Sequence, residues 1–597
     1  MPSSADLLAS EVAWDLEPLV DGAGRAGVDA LLEQATAIVE RIEQFRGRIG
    51  ELDASALAEV MHLLGDMNDR LGRAGSYVSL QFSVDTADPE RGAAMQRFQE
   101  QATALGTRVI FLELEWAEVD DARAMRLVRE PVLAFCRHYL ESARRYRPHL
   151  LTEPEERILA EKDITGSSAW SRLFDELTSA ILVELPTGTV SLEQGLSRLG
   201  SPEREERRIA AEAVTAALEP GLRTRAFVFN TLMADRTTDD RLRNYDSWVA
   251  SRNLANQASD ESVEALVDAV VARYDIPQRW YRLKADLLGV DRLADYDRNA
   301  SIASVEEEFS WSEATRIVLD SYGSFSEELA GVVQRFIDDR WIDAPVRPGK
   351  RPGAFCAYTV PSAHPFLLLN WTSRRRDVLT LAHELGHGLH AYLAREQGIF
   401  HQSTPLTLAE TASVFGETVT FGRLLADTTD PAARLALLAE SLEGQIATVF
   451  RQVAMNRFED AVHTRRRTIG ELSIDDFGDA WESTQRTMLG EAVEITPGYR
   501  SWWSYIPHFI GSPGYVYAYA YGQLLALAVY ATYEERGDSF VPAYLDLLRA
   551  GGSRSPEDLG RLVDVDLADP GFWDGGLAII DRQLAAAEQA ARDAGRR

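Results

Sequence analysis

Apolar residues recur every three or four positions along most of this chain. Val28 to Phe45 places Leu31, Leu32, Ala35, Ile38, Val39 and Ile42 on one stripe of a helix. Ala54 to Gln81, Ala93 to Leu114 and Ala122 to Arg145 repeat the pattern, and it resumes from Pro202 to Leu288. Such stripes are buried by packing helices on one another, so the fold expected is mainly α and multi-helical. At 597 residues there is material for two or more domains. Pro148 and Pro154 interrupt the period, and Leu182 to Leu192 (LVELPTGTVSL) reads as a β-hairpin. We place a boundary just beyond it, giving a helical N-terminal domain over 1–195 and a second domain over 196–597. In Arg347 to Asn370, glycines and prolines break the helix. Two β-prone runs there, Ala354 to Val360 and Pro365 to Asn370, predict a small β element before the next helix. The Ala-rich end, Leu584 to Arg597, reads as a frayed helix.

Charge narrows the function. Asp and Glu total 93 against 62 Lys and Arg, a formal charge of −31. Such a surface repels phosphate backbones and anionic membranes, so neither nucleic acid nor membrane is an expected partner. No stretch approaches the roughly 18 apolar residues of a membrane span. Met1 to Val20 carries acidic residues where a secretory leader needs a basic start. Two cysteines, Cys136 and Cys356, cannot build a disulfide framework and fit a reducing compartment. A cytoplasmic protein is expected. The sequence carries no signal for oligomeric state.

Asp377 to Leu393 reads DVLTLAHELGHGLHAYL. His383 and His387 stand four apart in a helical pattern and so share one face, a turn apart. Two imidazoles at that spacing can reach a single zinc ion, and three protein ligands leave a fourth position for water. Glu384 projects beside them and can take a proton from that water without being a ligand. The flanking Val378, Leu379, Leu381, Ala382, Leu385 and Leu389 are apolar, and burying His and Glu among them is costly without partners. A chain with 10 histidines has five of them between His364 and His401. For the third ligand we select Glu410, in Leu406 to Glu417 (LTLAETASVFGE). Glu417 lies two turns further along the same face and is expected to orient a ligating imidazole. His390, seven after His383, is expected to support the site rather than ligate. One zinc ion per chain follows.

HELGHGLH followed by ETASVFGE resembles the M3 metallopeptidases, specifically the oligoendopeptidase F branch. Trp14-Asp15-Leu16, Gly353-Ala354-Phe355, Pro365 to Asn370 and Tyr499 to Gly522 (YRSWWSYIPHFIGSPGYVYAYAYG) resemble further segments of that family. The resemblance implies an enclosed, zincin-like helical fold with an internal substrate channel. It implies hydrolysis of internal bonds in short peptide substrates by Glu-assisted attack of a zinc-bound water. By motif position His383, His387 and Glu410 take the metal and Glu384 is the base. The resemblance also implies that His508 and tyrosines of the last segment stabilise the oxyanion. Tyr515 and Tyr519 match best, with Tyr517 and Tyr521 as alternates. A zinc exopeptidase and a non-catalytic peptide-binding helical protein are the rival readings.

Two smaller expectations concern the β-prone region. Phe366 to Asn370 is read either as an edge strand that an extended peptide could join or as an ordinary internal strand. Cys356 is read either as an oxidation-sensitive thiol or as a small packing residue.

Overall fold

The computed structural model describes residues 8–163, 165–302 and 308–596. Residues 1–7 of the acidic N-terminal stretch and Arg597 of the Ala-rich end lie outside them. The chain is mainly helical, as the period predicts. It separates into two compact units, each built from three stretches. Unit 1 comprises Met1–Arg147, Glu306–Leu424 and Thr532–Asp566; unit 2 comprises Pro148–Val305, Leu425–Ala531 and Leu567–Arg597. The linear cut near residue 195 falls inside unit 2. Compactness depends on contacts between distant segments, which local composition does not carry.

In unit 1 the helices Gly24–Ile42 and Ala54–Val84 pack along their apolar stripes. Asp53 starts the second by accepting from the Ala56 amide at 2.9 Å. Ala35, Val39, Ile42, Leu57 and Met61 meet Phe111, Trp116 and Leu133 in one buried cluster. The predicted helix over 93–114 divides into Pro89–Val109 and Phe111–Glu118. The stretch 122–145 divides into Asp121–Val128, a 3-10 turn Pro131–Cys136 and Arg137–Arg145. Pro131 offers no N–H to an α-helical ladder, so the helix stops before it.

Unit 1 also holds a three-stranded sheet. Phe366–Trp371 is its middle strand, parallel to Ile342–Pro345 and antiparallel to Phe355–Ala357. The edge-strand reading of Phe366 to Asn370 is therefore wrong. Phe366, Leu367, Leu368 and Leu369 are all buried, and a continuous apolar run of this kind belongs inside a sheet. The N-terminal segment runs beside this sheet. Ala344 N–H donates to the Val12 carbonyl at 3.1 Å, and the Trp14 ring meets Phe366 edge-on at 6.0 Å.

Unit 2 contains the predicted hairpin, Leu182–Leu185 paired with Gly188–Ser191. Its helices Arg204–Leu218, Leu222–Leu242, Gln452–Ile469 and Ile474–Leu489 enclose an aromatic core of Phe229, Phe458, Phe477, Trp481, Trp503 and Phe509. Arg207 and Asp297 form a fully buried ion pair at 2.9 Å. The C-terminal helix Pro570–Asp593 corrects the expectation of fraying. Leu584, Ala587 and Ala591 are fully buried, and the helix packs on Pro431–Gln445 and Asp260–Ala272. Small side chains let these helices approach closely, which a sequence reader mistakes for a weak end. Among the described residues no helix is long and apolar enough to cross a membrane.

Leu584→Ala is expected to lower stability by about 2–5 kcal/mol, as core truncations do. A frayed end would leave the denaturant midpoint unmoved.

Candidate metal centre

The helix Arg375–Ala394 is fixed at its start by Asp377, whose Oδ2 accepts from Thr372 N–H at 2.6 Å and Arg374 N–H at 3.1 Å. Val378, Leu381, Ala382, Leu385 and Leu389 bury its inner face in unit 1. The register that buries these residues puts His383 and His387 together, with ring centroids 5.0 Å apart and planes at 79°.

A second helix, Leu406–Asp427, crosses at Gly386. A Cβ there would collide with the Ala412 carbonyl, so glycine is what permits the approach. Tyr322, on the helix Trp311–Phe325, braces the same place by donating its hydroxyl to the Ala382 carbonyl at 2.8 Å. Sequence reading missed Tyr322, because a tyrosine on an amphipathic helix carries no signal of its own.

This crossing brings three ligand types to one point. Glu410 Oε2 lies 3.3 Å from His383 Nε2 and 3.5 Å from His387 Nε2. The three donor atoms fall within 4.8 Å of one another. Ser413 donates its hydroxyl to Glu410 Oε2 at 2.7 Å. Glu417 Oε2 lies 3.1 Å from His383 Nδ1, the expected orienting contact, and so turns Nε2 toward the cluster. Two imidazole nitrogens and one carboxylate oxygen suit a divalent cation with a position left open. Glu384 is buried beside them, and its Oε2 has no hydrogen-bond partner among the described residues.

The electrostatics separate the carboxylates. Burial pushes the Glu384 carboxyl up to about 7, with His383 opposing the rise and Glu410 adding to it. Burial acts likewise on Glu410, but the His383 hydrogen bond and both imidazoles outweigh it and bring that carboxyl down to about 2. Burial lowers His387 to about 4. His383 is half-buried and loses solvation too, yet its bonds to Glu410 and Glu417 hold it well above the ordinary imidazole value. A cation binding among these groups takes the place of such protons and releases them.

The remaining candidates distribute as follows. His390 is buried, is not among the three converging donors, and its Nδ1 has no partner among the described residues. Burial raises the Cys356 thiol well above its usual value and the Glu384 charge adds to this, which favours packing over reactivity. His508, Tyr515 and Tyr519 belong to unit 2 and are neighbours there. His508 Nε2 and the Tyr519 hydroxyl are 3.3 Å apart, and the Tyr515 ring meets Tyr519 edge-on at 5.1 Å. The alternates are engaged elsewhere. The buried Tyr517 hydroxyl donates to Asn253 at 2.7 Å and accepts from Asn256 at 3.0 Å, and Tyr521 donates to Ser262 at 3.4 Å.

The sequence profile of peptidase family M3 matches residues 198–579, and that of oligopeptidase F matches residues 115–181. The group B oligopeptidase PepB of Streptococcus agalactiae is 27% identical, over 98% of this chain and 98% of its own length. Oligopeptidase PepF of Bacillus subtilis is 25% identical, over 97% of this chain and 85% of its own length. A solved protein of Chlamydophila abortus shares the fold with a TM-score of 0.88 at 22% identity, covering 98% of this chain and 99% of its own. The metal-ligand geometry and the profile match over most of the chain agree, and the chain belongs to peptidase family M3.

Proposed function

We propose that this metalloendopeptidase holds one zinc ion on His383, His387 and Glu410 and cleaves internal bonds of short peptides. The observation that carries the reading is the convergence of those three donors beside the buried, unpartnered Oε2 of Glu384. Zinc, when bound, supplies a Lewis acid that polarises the scissile carbonyl and acidifies a water. Glu384 takes the proton of the attacking water and passes it to the leaving nitrogen. Its elevated carboxyl supports both halves of that transfer. Glu417 holds His383 in its ligating orientation.

Tyr515, with Tyr519 and His508, is assigned to the oxyanion that develops as water attacks. Tyr517 and Tyr521 are fully buried whereas Tyr515 and Tyr519 are half-buried, which supports this choice among the four tyrosines. Burial holds the His508 imidazole below its usual pKa, as a neutral ring with one N–H to donate. Relatives named as oligopeptidases support short peptides as substrates. Two free cysteines fit a cytoplasmic location.

Glu384→Gln keeps the shape and removes the base. It should retain zinc on metal analysis and lose about 10²–10⁴-fold in kcat, and full turnover would remove Glu384 from the mechanism. Glu417→Ala should weaken zinc affinity by about 10–100-fold, measured by chelator competition; unchanged affinity would reduce the His383 contact to packing. Peptides blocked at both ends should be cut internally, with products read by mass spectrometry, and a chelator should stop the reaction until zinc is restored. Cleavage confined to free termini would support the exopeptidase reading instead.

A further inference from the structure

The residues leading into Tyr515 form a turn with an unusual set of attachments. Tyr515 N–H donates to the Ser512 carbonyl at 3.1 Å, with Pro513 and Gly514 between them and Gly514 at φ +75°. Proline followed by a glycine at positive φ is the pattern of a type II turn. Types I and II differ by a flip of the central peptide group, here the one joining Pro513 to Gly514. Neither end of that group is used by the turn's own hydrogen bond, so the turn alone does not prevent the flip.

In this protein both ends are held from outside. The Gly514 N–H donates to Glu459 Oε1 at 2.8 Å. The Pro513 carbonyl accepts from Arg252 Nε at 3.3 Å. Glu459 lies on the helix Gln452–Ile469 and Arg252 on the helix Ala250–Ala255, so two separate elements of unit 2 grip one peptide plane. Beneath it lies Trp248, whose indole donates to Asp460 Oδ1 at 2.9 Å and stacks on His463 at 4.5 Å. A Cβ on Gly514 would come within 3.3 Å of both Trp248 and Val249, so a side chain there would be tight as well as strained by its φ. The turn is joined backward to the His508 segment, since Ser512 N–H donates to the His508 carbonyl at 3.0 Å.

Glu459 is an acid held inside unit 2. It is fully buried, and its Oε2 has no hydrogen-bond partner among the described residues. Leaving a buried polar oxygen unpartnered is costly, and the Gly514 contact is what it obtains in return. Burial pushes its carboxyl up to about 8, with the Gly514 N–H and the charges of Arg236 and Arg252 opposing. In its neutral form it matches glutamine in shape and still accepts through Oε1.

We propose that Glu459 and Arg252 are positioning residues for Tyr515: by gripping the two ends of the Pro513–Gly514 peptide they prevent its flip and so fix the direction in which the phenol points. This rests on the reading that Tyr515 serves the oxyanion. Hydroxyl donors act at a developing charge only when already aimed, and a displacement of about 1 Å can cost about 10²-fold in rate.

The experiment uses the full-length zinc-loaded enzyme. Three quantities are measured: kcat and KM on an internally quenched peptide, zinc content, and hydrogen exchange of the segment 512–516. Glu459→Leu removes the acceptor. It should lower kcat by about 10–100-fold, leave KM and zinc content near the parent, and speed exchange in 512–516. Glu459→Gln should restore both kcat and protection. Arg252→Met, which releases the other end, should behave like Glu459→Leu and serves if that variant does not fold. In a Tyr515→Phe background, Glu459→Leu should add little further loss. Unchanged exchange in folded Glu459→Leu and Arg252→Met would overturn the grip itself. Faster exchange with unchanged kcat would show that Tyr515 does not need it and would overturn the proposal. Tyr515→Phe with full activity would instead sink the oxyanion reading. The effect of Glu459 would then be structural, and the proposal falls with that reading by a separately visible route.

Discussion

The crossing of two helices at Gly386 is the contact on which the metal centre depends. Without a side chain at that position, the helix carrying Glu410 reaches the backbone of the helix carrying both histidines. A carboxylate is thereby set against two imidazoles, and its bond to His383 offsets the cost of withdrawing it from water. The bonds from Tyr322 to Ala382 and from Ser413 to Glu410 hold the two helices and the carboxylate in the same arrangement. Glu384 stands just outside this exchange of charge. It is more deeply buried than Glu410 and its Oε2 lacks such partners, and this is why two carboxyls so close together are driven in opposite directions.

Unit 1 supplies rigidity to that crossing. The helix carrying His383 and His387 rests on the sheet whose middle strand is Phe366–Trp371, and the N-terminal segment covers the sheet's outer strand. Residues more than 300 positions apart in sequence thus combine to support one helix. In unit 2 the equivalent task falls to an aromatic core and to backbone attachments. A phenol on a short turn, as Tyr515 is, gains a defined direction only if the turn is held. Glu459 and Arg252 hold the turn from two helices, and Trp248 packs on it from the segment just before the second.

Membership of the M3 family and the donor set of the centre agree on the chemistry, while resting on independent grounds. The first comes from similarity spread over most of the chain. The second comes from the distances among three side chains and the isolation of a fourth. The family match by itself does not speak to the centre; His383, His387 and Glu410 lie close enough together that they could hold a metal ion.

Several features were legible in the sequence because their causes are local. Four residues are about one helical turn, so the pairing of His383 with His387 and the place of Glu384 beside them follow from spacing alone. The seven-residue interval of Glu410 and Glu417 likewise predicts one face, and the structure brings Glu417 to His383 Nδ1. Other features were decided only by the tertiary structure. Phe366 to Asn370 became a middle strand because two segments that precede it in sequence, Ile342–Pro345 and Phe355–Ala357, pair with it on either side. The Ala-rich end became core because distant helices accepted its small side chains. The four tyrosines of one segment look alike in sequence; Asn253, Asn256 and Ser262, roughly 260 positions away, single out two of them. Periodicity records what a residue can face within its own helix, whereas which partner it meets depends on long-range closure of the chain, and that information is spread over the whole sequence.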